Sequence, residues 1–219
     1  MTMDIEQARF NMIEQQIRPW EVLDQGVLSL LAVVKREDFV PAACRALAFV
    51  DTEVPLPEGQ AMLSPKVEAR VLQALHVARH ETVLEVGAGS GHMAALLAHK
   101  AQRVITLECR PALAAMATAN LRRAGIMNAE VRRLDGAHGI PSQAPFDVIV
   151  LSGSVAVLPQ ALLDQLKVGG RLAAIVGDEP VMQALLVTRS GERDFKRVVL
   201  FDTVAPRLDG FVEPERFRF

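Results

Sequence analysis

Val83-Leu84-Glu85-Val86-Gly87-Ala88-Gly89-Ser90-Gly91 decides how the chain folds. Residues 82–86 form a short apolar, β-branched run, the composition of a buried strand. The run stops at glycines on alternate positions, and residues 91–99 then follow a helical period. A strand, a glycine turn and a helix in that order make the setting of a nucleotide-binding loop, because glycine lets the backbone turn sharply and approach a ligand closely. In sheets of this kind ligands lie at the strand ends.

Strands and helices go on alternating after this unit. Residues 103–107, 129–134, 146–151 and 171–176 predict strands. Residues 111–124 predict a helix closed by Gly125, and 159–166 one closed by Gly169-Gly170. The run Phe146-Asp147-Val148-Ile149-Val150-Leu151 is apolar enough for a sheet covered on both faces. Residues 182–189 and 195–201, with Ser190-Gly191 between them, predict a terminal hairpin. The pattern implies an α/β fold with a doubly wound, mostly parallel sheet and an antiparallel C-terminal edge.

The N-terminal part has a different texture. Asp4 to Ile17 predicts an amphipathic helix ended by Pro19, and Asp24 caps a second helix through residues 27–34. Residues 41–65, punctuated by Pro41, Pro55, Pro57 and Pro65, predict a long ordered loop or cap. Ser64-Pro65 then opens a helix carrying Val67, Val71, Leu72 and Leu75. We divide the chain into a helical cap and loop, 1–63, and a ligand-binding domain, 64–219, forming one compact unit.

Composition narrows the class. Among 219 residues, 24 Lys+Arg face 26 Asp+Glu, a formal net charge of −2, and half are apolar. That balance argues against a nucleic-acid partner, which selects basic proteins. Arg122-Arg123 and Arg132-Arg133 therefore read as a solvated face. Cys44 and Cys109 are too few for a disulfide framework or a cysteine zinc site. No apolar run reaches the roughly 18 residues of a membrane span, and Asp4, Glu6, Arg9 and Glu14 precede any apolar stretch, unlike a signal peptide. A cytoplasmic protein is expected, with no membrane contact and no metal, since the five histidines show no ligand spacing.

The glycine loop departs from a dinucleotide fingerprint: the third glycine arrives early, at Gly91, with His92 where that fingerprint has glycine. Glu85 just before the turn would repel a pyrophosphate and suits a positively charged cofactor. S-adenosyl-L-methionine carries a sulfonium and an ammonium group. Glu108, ending the second strand, can accept both ribose hydroxyls, and Asp135-Gly136 after the third strand would lie beside adenine. Singly, the glycines read as a tight turn, Glu108 as a solvated strand end and Asp135-Gly136 as a turn. Together, at three successive strand ends, they predict a cofactor site of Glu85, Gly87, Ala88, Gly89, Ser90, Gly91, Glu108, Asp135 and Gly136. Cys109 is either a small buried residue or part of the adenosine pocket, and His92 either a helix-surface residue or near the methionine end.

These residues resemble class I adenosylmethionine-dependent methyltransferases, and the N-terminal part is similar to the protein-L-isoaspartate O-methyltransferases. Arg36-Glu37-Asp38-Phe39-Val40-Pro41 looks like that family's RE-x-F-V-P, and Ala48-Phe49-Val50-Asp51 like its AY-x-D. Pro55 through Gly59-Gln60, Pro145-Phe146-Asp147 and the segment 165–172 also match. The resemblance covers about residues 5 to 178 and only loosely the last 40. It implies a seven-stranded sheet, methylation of an isoaspartyl carboxylate in a damaged protein or peptide, S-adenosyl-L-homocysteine as product and no metal. One departure stands out. The family's loop GQTISQP is here Gly59-Gln60-Ala61-Met62-Leu63-Ser64-Pro65, so both loop hydroxyls are missing. The catalytic position falls on Leu63, with Ser64 one place late and equally suited to cap the next helix. A small-molecule or RNA acceptor, or a silent cofactor-binding homologue, are the alternatives this loop raises. Trp20 is expected to anchor the cap. The tail 211–219 is expected to pack on the core or a second subunit, in a monomer or homodimer.

Overall fold

The computed structural model describes residues 4–214. A seven-stranded sheet runs in the order β5-β4-β3-β6-β7-β8-β9. Its strands are β3 (Thr82–Val86), β4 (Arg103–Glu108), β5 (Ala129–Arg133), β6 (Phe146–Val155), β7 (Leu166–Asp178), β8 (Val181–Arg189) and β9 (Phe195–Thr203). The first five in spatial order pair in parallel, and β7-β8-β9 pair antiparallel. The α/β architecture and the antiparallel edge agree with the alternation in the sequence. Strand order reverses beside β3, whose neighbours are β4 and β6, and such a switch point opens a crevice at the strand C-termini.

Both faces of the sheet are covered, which explains its continuous apolar runs. Val83, Val104, Val148 and Val150 pack with α2 (Gln25–Val33), α3 (Pro65–Leu75) and α4 (His92–Lys100). Leu84, Val86, Ile105, Leu107, Ile149 and Leu151 point to the other face, against Phe146, Ile140 and α6 (Gln160–Leu163). Met12, Ile13 and Ile17 share the first of these cores, so the N-terminal segment packs onto the sheet's own helices. No helix among the described residues is long and apolar enough to cross a membrane.

Three local expectations change. The helix predicted to Ile17 is regular only over α1 (Ile5–Asn11), then widens to π-helical turns over Met12–Ile17. Pro19 follows, and its ring and missing N–H end regular pairing. The helix predicted to residue 166 shrinks to the four residues of α6, and the Gln165 side chain beyond it bonds both back to Ala161 O at 2.8 Å and to another segment. It accepts from Ile140 N at 2.8 Å and donates to His138 O at 2.8 Å, while the Gln165 backbone carbonyl accepts from Phe146 N. The proline-punctuated loop contains a two-residue hairpin, β1 (Val54–Pro55) with β2 (Ala61–Met62). Of the tail, Phe211 is buried against the second core, and residues 215–219 lie outside the described residues.

Phe146 is fully buried where β6 begins. Phe146→Ala is expected to cost about 3–5 kcal/mol, through lost transfer energy and an unfilled cavity. Urea unfolding measures it, and a loss under about 1 kcal/mol would contradict this placement of the core.

Candidate active site

Gly87, Gly89 and Gly91 have φ of 91°, 51° and 85°. All lie in the left-handed region that a Cβ makes costly, which is why glycine stands at each. Gly87 N and Ala88 N donate to Leu107 O at 2.9 and 3.0 Å, pinning the loop to the end of β4. Gly91 caps α4 and packs on Ala117 of α5 (Pro111–Arg123).

Glu85 is fully buried at the switch point. Its Oε1 accepts from Ser152 Oγ of β6 at 2.7 Å, within an irregular stretch of β6 between Val150 and Ser154. Its Oε2 has no hydrogen-bond partner. Burial pushes its pKa up to about 7; the Ser152 and Thr106 hydroxyls pull the other way, and the Glu68 and Glu108 carboxylates add to the rise. The Thr106 hydroxyl does this from nearby, without a hydrogen bond of ordinary geometry. Glu108 ends β4, with Oε2 accepting from Gly89 N at 2.9 Å and Oε1 from Arg110 N at 3.0 Å.

Two adjoining cavities meet at this loop. The outer one is lined by Glu108, Cys109, Leu113, Leu134, Gly136 and Leu208 among others. The inner one is lined by Leu63, Glu68, Glu85, Ala88, Ser90 and His92 among others. Leu56, Ala61, Gly87, Gly89 and Ser152 line both. Gly136 has no room for a Cβ against Val86. Asp135 is not on the cavity wall: its Oδ1 accepts from Ala137 N at 2.9 Å, and it packs against Gly210. The Cys109 thiol is pushed up to about 11 by partial desolvation and by the Glu108 and Asp209 carboxylates, so it is no nucleophile at neutral pH. His92 is buried, not on the helix surface.

Leu63 is buried on the inner wall, and Arg36 Nη2 donates to its carbonyl at 2.6 Å. Ser64 occupies the cap position of α3, but its side chain makes no capping hydrogen bond, and it does not line the inner cavity. The hydroxyl-bearing residues on that wall are Ser90 and Ser152.

Sequence patterns did not single out several parts of the site. Ser152 had a signal, lying just beyond the apolar run 146–151 at the end of a central strand. The segment 206–210 had none. Ser154 N donates to Pro206 O at 2.7 Å and Leu208 N to Ser154 O at 2.9 Å, laying this segment along β6. A Cβ at Gly87 would come within 2.6 Å of Leu208 Cδ2. Arg110 ties both rims together, donating from Nε to Asp209 at 2.8 Å and from Nη1 to Glu58 O at 2.8 Å.

The family model for protein-L-isoaspartate (D-aspartate) O-methyltransferase matches residues 7–203. The chain belongs to this family. A protein-L-isoaspartate O-methyltransferase of Koribacter versatilis is 41% identical over 194 residues, 89% of this chain and 87% of that one. One from Rhodopseudomonas palustris is 40% identical over 208 residues, 93% and 95% of the two chains. A Plasmodium falciparum structure described as this methyltransferase, in complex with S-adenosyl-L-homocysteine, superposes with a TM-score of 0.81 at 20% identity. It covers 92% of this chain and 98% of that one. A further protein-L-isoaspartate O-methyltransferase structure has a TM-score of 0.78 at 21% identity, covering 94% and 66%. At those identities the structures speak for the fold.

The raised Glu85 carboxyl makes a stability prediction. Its folded pKa of about 7 exceeds the ordinary 4.5, so its stabilising contribution is complete below pH 4.5 and is lost as pH rises through 7. Glu85→Gln removes that loss. The ligand-free variant should melt higher than the natural protein at pH 8, with a much smaller gain at pH 5. Equal shifts at both pH values, in thermal melts, would refute the buried-charge account.

Proposed function

We propose that this chain transfers the methyl group of S-adenosyl-L-methionine to a carboxylate of an isoaspartyl residue in a protein or peptide. The observation that carries the cofactor part is Glu85 Oε2, buried and unpaired beside three left-handed glycines. A buried carboxylate without a partner is strongly disfavoured, and a cation beside it relieves the cost. The sulfonium and ammonium groups of the cofactor's amino-acid end meet that need. Glu108 suits the ribose: one backbone N–H fixes each oxygen, and the long 3.8 Å contact from the Cys109 thiol is weak competition for a hydroxyl at Oε1. Cys109, Leu113, Leu134 and Gly136 on the wall of the outer cavity offer apolar contacts to the adenine.

The bound cofactor supplies a methyl carbon activated by the sulfonium sulfur. An acceptor carboxylate is already ionised at neutral pH, so no residue has to remove a proton. The chain's own task is alignment and exclusion of water. Residues 1–63 act as a cap on 64–219. From that cap, Leu56, Ala61, Met62 and Leu63 supply an apolar wall over the glycine loop. Leu208 and the Arg110 bridges close the outer side. A small-molecule acceptor is the second reading, favoured by Ala61 and Leu63 where the family loop carries hydroxyls.

Methyl-ester formation on an isoaspartyl peptide tests the proposal, measured on the natural protein, Leu63→Ser and Ser64→Ala. Weak turnover by the natural protein is expected, increased by Leu63→Ser. Ser64→Ala should leave turnover unchanged and cost under about 0.5 kcal/mol, because no capping bond is lost. No peptide turnover by any of the three, with methyl transfer to a small molecule instead, would move the assignment to the second reading.

Glu108→Ala should weaken binding of S-adenosyl-L-homocysteine by about 1–3 kcal/mol, since two hydroxyls lose a charged acceptor. Calorimetry reads this directly. Unchanged affinity would remove Glu108 from the ribose site.

A further inference from the structure

His92 opens α4 directly after the glycine loop and is 2% exposed. Its Nδ1 lies 3.0 Å from Glu68 Oε2, and Glu68 is also paired with the buried Arg36. Burial alone would raise the Glu68 carboxyl. The charges of His92 and Arg36 and the hydrogen bonds from both outweigh it and hold Glu68 below the ordinary carboxylate range. An ionised carboxylate only accepts, so Nδ1 carries a proton towards it. The Phe39 ring packs edge-on against the imidazole, with centroids 5.3 Å apart. The ring is therefore fixed on one side. Its other nitrogen, Nε2, is buried without a partner, and His92 lines the inner cavity with Glu85, Ala61 and Leu63.

We propose that His92 Nε2 donates a hydrogen bond to a carboxylate bound in the inner cavity, as the anion-binding counterpart of Glu85. The inference rests on the cofactor assignment above. The cavity holds two unpaired buried polar atoms, Glu85 Oε2 and His92 Nε2. With Nδ1 already donating to Glu68, Nε2 is the ring atom left to meet a ligand. A carboxylate ligand gives Nε2 the partner it lacks, so the ring is held between two anions. The groups around it then pair: Arg36 with Glu68, His92 with the ligand carboxylate, and Glu85 with a ligand cation. A group carrying both charges, such as the amino-acid end of S-adenosyl-L-methionine, uses both atoms. The carboxylate of an isoaspartyl acceptor offers the same chemistry to His92. It would restore a polar contact that Ala61 and Leu63 do not provide.

Two substitutions separate this role from a structural one. The amide nitrogen of His92→Asn takes the place of Nδ1, keeping the Glu68 bond and leaving nothing at Nε2. His92→Gln places its amide nitrogen where Nε2 was and gives up the Glu68 bond. Calorimetry on the full chain would use S-adenosyl-L-homocysteine and methylthioadenosine, which keeps the adenosine and sulfur but lacks the amino-acid end. Thermal melts confirm folding. If the carboxylate is the cofactor's, His92→Asn should weaken S-adenosyl-L-homocysteine about ten- to a hundredfold and His92→Gln by under about threefold, with methylthioadenosine unchanged. If it is the acceptor's, both ligands bind as before, and KM for the isoaspartyl peptide rises by a similar factor in His92→Asn alone, with kcat retained. The reverse ranking, with Gln impaired and Asn intact, would reduce His92 to an anchor for Glu68 and overturn the inference. Unchanged binding and KM in both variants, or equal losses for the two ligands, also overturns it. Failure of the natural protein to bind either ligand would instead overturn the cofactor assignment, and this inference with it.

Discussion

Arg36 is a fully buried guanidinium, and three separate parts of the chain converge on it. Nη1 pairs with Glu68 on α3, and Nη2 donates to the carbonyl of Leu63 in the loop before α3. Glu68 in turn shares its Oε2 with His92 at the start of α4. A charge out of water is tolerated only with partners, and removing one leaves the other buried and uncompensated. The N-terminal segment, the loop and the helix after the glycine turn are thus held in one relative geometry. Arg9 and Glu37 form a second buried pair, with Glu37 adjacent to Arg36 in the chain, so both sides of this short segment are tied down.

The switch point imposes the other constraint. β3 lies between β4 and β6, so Glu85 is closed in laterally by neighbouring strands. Alternation along β3 puts Glu85 on the face of Val83, the side covered by α3 and α4, where Glu68 and His92 wait. The carboxylate therefore sits where burial is deepest and one oxygen faces a cavity. On the outer side Leu208 fills the space left by Gly87 and Gly153. The two glycines that keep the loop and β6 slim also make room for the returning C-terminal segment.

Most of this architecture was legible in the sequence because both periodicities were undiluted. The run 146–151 could only suit a sheet covered on both faces, and the order of strands and helices left little freedom in topology. The glycine spacing, Glu85 and Glu108 marked the cavity, whereas Asp135 marked a turn beside it. What escaped had long-range causes. Gln165 has helical neighbours, yet its side chain bonds to Ile140 and His138, over 20 residues away in sequence, and it lies past the end of α6. The segment 206–210 carries no local signal, since its place is set by backbone bonds to Ser154. Glu68 looks like an ordinary helix-surface residue until Arg36 is brought beside it from 32 positions earlier. Ser64 has the right type and place for a cap, yet its side chain makes no such bond.

The inner cavity shows how one scaffold redistributes polarity. Leu56, Ala61, Met62 and Leu63 make the cap side of the cavity apolar. The opposite side, built from β3 and the starts of α3 and α4, holds Glu85, Glu68 and His92. In a site shielded from water, fixed charges act over a longer range than they would in solvent. A ligand entering between an apolar lid and a polar floor is oriented by the floor, because only there can its charges find partners. In the proposed binding mode Glu85 takes the cationic end and His92 the anionic end, and the two atoms are fixed by different elements of the fold. Orientation in this cavity thus depends on strand β3 and the Arg36–Glu68 pair, with the loop contributing shape and exclusion of water.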